Sequence, residues 1–123
     1  MVRIVVLNDN RKNNPQLENE HGLSLYIEVD GYKILLDAGQ TDIFKKNAKK
    51  LGVNLDDLDT IVLSHGHYDH GNGLKHIDKK IPLICCPGCD CYRVSKRTGN
   101  YGGLNQKVEE LSEKFDLIQT HIK

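Results

Sequence analysis

Thr60-Ile61-Val62-Leu63-Ser64-His65-Gly66-His67-Tyr68-Asp69-His70-Gly71-Asn72-Gly73 is the stretch on which the reading of this chain turns. Its first five residues are β-branched or apolar for the most part and predict a short buried strand over Thr60–Ser64. The strand empties into three histidines and an aspartate, and the whole chain has only 6 histidines. Residues two apart at a strand end project to the same side. His65 and His67 can therefore aim imidazole nitrogens at one point about 2 Å away, the usual zinc–nitrogen distance. Gly66 lets the backbone between them pass close to that point. Asp69 and His70, where Gly71 and Gly73 turn the chain, can face a second point beside it. Imidazole and carboxylate suit Zn²⁺, Fe²⁺ or Mn²⁺, and these residues alone do not choose among them. Two cations about 3.5–4 Å apart can share a hydroxide and clamp a phosphoryl or carbonyl oxygen. The competing reading is a polar surface turn that happens to be rich in histidine.

Working outward, Met1–Leu7 reads as a strand followed by a long polar loop containing the turn signal Asn13-Asn14-Pro15. Leu23–Val29 and Tyr32–Leu36 are two strands joined by Asp30-Gly31, a strong hairpin signal because both residues accept positive φ. Asp37-Ala38-Gly39-Gln40 ends the second. A helix follows, with Thr41 expected at its N-cap, Ile43, Phe44, Ala48 and Leu51 on one face, and Gly52 just past its end. Asn54 caps a short turn before the Thr60 strand. Beyond the histidines a brief helix over Leu74–Lys79 and a strand over Pro82–Cys86 are predicted. A loop over Pro87–Gly103, an amphipathic helix marked by Leu104, Val108, Leu111 and Phe115, and a last strand over Leu117–Ile122 complete the pattern. Strands first, then helix and strand alternating, is a mixed α/β order.

The 123 residues argue for one domain at most. Lys+Arg and Asp+Glu both number 17, so nothing marks a surface for nucleic acid or anionic lipid. Ile4–Leu7 and Ile34–Leu36 are too short to span a bilayer. Polar residues from Asn8 onward interrupt any signal-peptide core. The expectation is a soluble cytoplasmic protein with no nucleic-acid partner. The 4 cysteines, Cys85, Cys86, Cys89 and Cys91, lie too close together to staple distant segments. They read as reduced thiols or as a metal or redox feature.

Ser64-His65-Gly66-His67-Tyr68-Asp69-His70 after an apolar strand, preceded by Leu35-Leu36-Asp37-Ala38-Gly39-Gln40, resembles the signature of the metallo-β-lactamase superfamily. With Asp9-Asn10 and Glu20-His21-Gly22-Leu23-Ser24, the match is similar to the branch that includes dihydropterin ribofuranosyl-aminobenzene phosphate synthase-like proteins. The resemblance implies His65 and His67 as ligands of a first metal and Asp69 and His70 as ligands of a second. Zinc is the first choice, with up to two ions per complete site. It implies that Asp37 orients the metal loop by hydrogen bonding, and that Asp69 orients or deprotonates the attacking water.

Members of that superfamily are about twice as long and fold as an αββα sandwich of two similar halves. The second half supplies a third histidine, a bridging aspartate and a late histidine. This chain resembles the N-terminal half, so residues 1–123 are expected to form a single truncated domain. Its mixed sheet with flanking helices would leave an apolar face needing a cover. A homo-oligomer or a separately encoded C-terminal half is the expected partner.

His21 is a further candidate at the substrate site, and Lys96-Arg97 another, for a phosphate or carboxylate. His121 is a weaker substitute for the missing ligand, and His76 reads as helix surface. In the family the cysteine cluster falls at a strand end before a proline loop, which favours a structural role. The function expected is metal-dependent hydrolysis of a small molecule by an assembled site. The alternatives are a metal-binding fragment without turnover, or a cysteine module resting on Cys86, Cys89 and Cys91. The superfamily hosts many chemistries on one fold, so the substrate stays open.

Overall fold

The reversal at Asp30-Gly31, with φ of +50° and +84°, has the double positive φ of the tight turn that matches the twist of the strands beside it. It joins β2 (Ser24–Val29) to β3 (Tyr32–Leu36). The computed structural model describes residues 1–12 and 14–120. Within them a six-stranded sheet runs in chain order from β1 (Val2–Asn8) through β2, β3, β4 (Thr60–Val62) and β5 (Pro82–Cys85) to β6 (Asp116–Gln119). The first three strands pair antiparallel and the last three join in parallel, a mixed α/β sheet.

Register puts two six-residue rows straight across this sheet. Val5, Tyr26, Leu35, Ile61, Leu83 and Leu117 face one side and pack in the core with Phe44 and Ala48 of α1 (Ile43–Lys50). Leu111 of α3 (Val108–Lys114) and Phe115 belong to the same core. The other side carries Val6, Leu25, Leu36, Val62, Ile84 and Ile118. That row is only half-buried, and at its ends Val6 and Ile118 are 48% and 47% exposed. Strand residues alternate apolar with apolar, the pattern of a sheet meant to be covered on both faces.

Three expectations are corrected. The helix after the histidines starts earlier than Leu74: α2 is a single turn over Tyr68–Gly71, followed by a 3₁₀ segment over Asn72–His76. Asp69 and His70 therefore sit on a helical turn, not in an open loop. Thr41 does not occupy the N-cap of α1; Asp42 does, without a side-chain cap. Thr41 Oγ1 instead donates to Glu20 Oε1 at 2.5 Å, and Glu20 Oε2 accepts from the Gln40 and Thr41 amides at 3.0 Å each. The last helix is shorter than its apolar spacing suggested, because Leu104 is buried in coil and Asp90 Oδ2 accepts the Val108 amide at the helix start, at 3.0 Å. His121, Ile122 and Asn13 lie outside the described residues.

Asn47 is buried and ties three pieces together. Its Nδ2 donates to the carbonyls of Leu7 (2.7 Å) and Glu18 (2.8 Å), and its Oδ1 accepts the Glu18 amide (3.1 Å). The long polar loop is thereby pinned between β1 and α1. Among the described residues no helix is long and apolar enough to cross a membrane. Truncating Asn47 removes three hydrogen bonds, and the one to the Leu7 carbonyl is buried, where a group left without a partner costs roughly 1–3 kcal/mol. Asn47→Ala is expected to lower stability by about 2–4 kcal/mol, read as a fall in the urea midpoint at unchanged slope. A loss within about 0.5 kcal/mol would contradict the pinning role.

Candidate metal centre

β3 ends at Leu36, and Asp37 follows with φ of +58°, a left-handed backbone that costs a non-glycine residue of order 1–3 kcal/mol. The turn carries its carboxylate into full burial. There Oδ1 accepts the Ser64 amide at 2.7 Å, and Oδ2 accepts the Ser64 hydroxyl at 2.6 Å. Oδ2 is also 2.7 Å from His70 Nδ1. Backbone bonds lock the same turn: the Asp37 amide donates to Val62, the Ser24 hydroxyl to the Asp37 carbonyl, and the Ala38 amide to the His70 carbonyl. One residue at the end of β3 thus holds both ends of the segment from β4 to α2.

These contacts decide the histidine tautomers. A carboxylate only accepts, so His70 Nδ1 carries a proton and Nε2 is the ring nitrogen left for a metal. The Ser64 hydroxyl has given its one hydrogen to Asp37, so at 2.8 Å it accepts from His65 Nδ1. Nε2 of His65 is likewise the nitrogen left for a metal. Burial, then the neighbouring His70 and His67, pushes the His65 pKa below its ordinary value, which favours the neutral ring a metal needs. The three rings gather, His65 with His70 at 4.2 Å between centroids and His65 edge-on to His67 at 4.6 Å. Potential ligand atoms of Asp37, His65 and His70 all lie within 4.8 Å of one another. Both Asp37 oxygens are already engaged by hydrogen-bond donors.

Asp69 is buried on α2, and its Oδ2 lies 3.0 Å from His21 Nε2. The same oxygen lies 3.7 Å from His70 Nε2, beyond hydrogen-bond distance. An imidazole nitrogen and a carboxylate oxygen facing each other without a hydrogen bond are ligand types a divalent cation takes together, so the donor set fits a metal. Beside it opens a cavity of about 450 Å³, lined among others by Asp9, Asn10, Arg11, His21, Asp69 and His70. Arg11 is a functional candidate that the sequence did not single out, since nothing in its neighbourhood distinguishes it from other loop cations. His67 is exposed at the start of α2. Lys96 and Arg97 lie exposed between Val94 and Tyr101, whose bridge closes a small hairpin, and neither lines this cavity.

A family model described as the metallo-beta-lactamase superfamily matches residues 18–84. The chain belongs to that superfamily. It is 36% identical over 110 residues to a 7,8-dihydropterin-6-methyl-4-(beta-D-ribofuranosyl)-aminobenzene-5'-phosphate synthase of Methanocaldococcus jannaschii, covering 79% of this chain and 37% of that protein. It is also 36% identical over 121 residues to an uncharacterised protein of the same organism, covering 95% of this chain and 46% of the relative. The chain thus spans less than half the length of either relative. A crystal structure of a metal-dependent hydrolase of the beta-lactamase superfamily superposes with a TM-score of 0.81 at 30% identity, over 99% of this chain and 43% of that one. The half-sandwich architecture expected of such a chain agrees with the one-sided sheet described above.

Long-range nitrogen–proton NMR of metal-free protein is expected to find His70 protonated on Nδ1. Asp37→Asn keeps the side chain's shape but removes the charge, and is expected to scramble that tautomer and lower stability by about 1.5–3 kcal/mol. An unchanged His70 tautomer in Asp37→Asn would contradict the orienting role.

Proposed function

We propose that this chain supplies the histidine–aspartate half of a metal-dependent hydrolase centre acting on a small molecule. His65 and His67 would hold one divalent cation, and Asp69 and His70 a second, with zinc first and Fe²⁺ or Mn²⁺ as alternatives. The observation that carries this reading is the Asp37 carboxylate. It holds His70 directly and His65 through Ser64 by their Nδ1 atoms, leaving Nε2 of two rings with centroids 4.2 Å apart for a metal. A divalent cation bound there polarises a phosphoryl or carbonyl oxygen and lowers the pKa of water.

The chain's own residues do the rest. Asp69 would orient the attacking water and take its proton, with His21 Nε2 at 3.0 Å from its Oδ2 to steady the carboxylate. Arg11 and His21 line the cavity beside the site, where a substrate anion would meet a cation and an N–H donor. Lys96 and Arg97, on their exposed hairpin, can serve only a substrate or a partner that reaches over from the cavity.

The same proposal includes a cover for the open sheet face. Val6, Leu25, Leu36, Val62, Ile84 and Ile118 form an apolar row with the width of the whole sheet, as the inner face of a sandwich requires. A second copy is the first candidate for that cover, and a separately encoded C-terminal half is the other. The second reading is a metal-holding unit without turnover.

Native mass spectrometry of protein purified without chelators reads bound metal and subunit count together. The expected result is an assembly with at least one metal per chain. His67→Ala and His70→Ala lose the metal while His76→Ala keeps it. Ile4→Lys, on the open face, shifts the population to monomer with its metal retained. Metal without hydrolysis of any phosphodiester, thioester or lactone probe would favour the second reading. A metal-free wild-type chain would overturn both.

A further inference from the structure

The metal centre makes no use of the cysteines, yet two of them are built into its support. Cys85 is the last residue of β5, and Cys89 lies in the turn that follows, closed by the Cys91 amide on the Gly88 carbonyl. Both are fully buried, and their sulfurs lie 3.4 Å apart, sharing a hydrogen bond. Cys86 is half-buried and Cys91 exposed. The shared bond draws the Cys89 thiol below its ordinary pKa and, with burial, pushes Cys85 above it.

The Cys89 backbone is pressed against the histidine loop. A Cβ added at Gly66, between His65 and His67, would lie 1.7 Å from the Cys89 carbonyl oxygen. The Arg93 guanidinium clips the same place, donating from Nη1 to the carbonyls of Cys89 and Cys91 (3.2 Å each) and of Gly66 (3.5 Å). Its Nη2 donates to the Gly88 carbonyl at 3.4 Å. Asp90, the next residue, holds the start of α3. Cys89 thus has no slack: a movement of its backbone is a movement of Gly66.

We propose that Cys85 and Cys89 are a reversible disulfide site, oxidised by a hydroperoxide, whose closure displaces Gly66 and with it the flanking histidines. In the first step Cys89 Sγ, having released its proton, attacks one peroxide oxygen. An S–O bond forms, the O–O bond breaks, and the departing hydroxide takes that proton and leaves as water. Cys85 Sγ then attacks the sulfenic sulfur, the S–S bond forms and the S–O bond breaks, and the second hydroxide leaves as water with the Cys85 proton. Two thiols lose two electrons, and hydrogen peroxide becomes two waters. A disulfide holds its sulfurs about 2.05 Å apart. The present 3.4 Å separation must therefore close by more than an ångström, and the buried strand end at Cys85 is less able to yield than the turn at Cys89.

The test uses the full chain with Cys86→Ser and Cys91→Ser, stripped of metal, and the wild type treated in parallel in case the double variant folds poorly. After limiting hydrogen peroxide and alkylation, the tryptic peptide over residues 81–93 is weighed. The expected product is a two-hydrogen loss that blocks alkylation at Cys85 and Cys89 and is reversed by dithiothreitol. Amide NMR signals of Gly66 and His67 should move between the two forms. Cys85 and Cys89 still alkylatable, or over-oxidation of Cys89 without a link, would overturn the proposal. A link that leaves the Gly66 and His67 amides in place would overturn its coupling to the metal loop.

Discussion

Everything at the candidate centre depends on one buried carboxylate. Asp37 accepts an amide, a hydroxyl and an imidazole proton, and it does so from a strained left-handed backbone at the end of β3. Leaving such a charge buried without those donors would cost several kcal/mol, so the surrounding segments have little freedom to rearrange. The consequence is preorganisation. Ser64 and His70, at opposite ends of the histidine segment, are fixed by the same group, so the His65 and His70 rings are held before any ligand arrives.

Around this point the fold is lopsided. Helices and loops crowd one face of the sheet, where Leu35, Ile61 and Leu83 are fully buried, while the other face ends in exposed valines and isoleucines. The site lies at the C-terminal ends of the parallel strands β3 and β4, as ligand sites of α/β sheets commonly do. The long loop after β1 reaches it from one side through His21, and the loop after β5 from the other through Arg93. A second layer on the open face would complete the hydrophobic sandwich and bring further side chains to the same rim.

Much of this was legible from residues alone, for identifiable reasons. Alternating apolar runs and Asp30-Gly31 report a two-residue period and a turn that few other sequences can make. The superfamily and its half-length match, now established by the comparisons, rested on a dense local motif. The contacts of Asn47 and Glu20 leave no local signal because their partners are largely backbone groups far away in sequence. The start of α2 was missed because polar residues with no apolar spacing can still form one turn when tertiary contacts hold it. Leu104 misled in the opposite direction: periodic burial reports the core, and coil can enter the core as well as helix can. Arg93 has no local signal of its role either, because its partners are backbone carbonyls.

The central claim is that the histidine–aspartate segment, not the cysteine cluster, is the metal centre of this chain. Zinc-edge X-ray absorption of the zinc-loaded protein tests it most directly. The account predicts a nitrogen and oxygen shell at about 2.0–2.1 Å with imidazole scattering beyond it. A shell dominated by sulfur at about 2.3 Å would place the metal on the cysteines and contradict it.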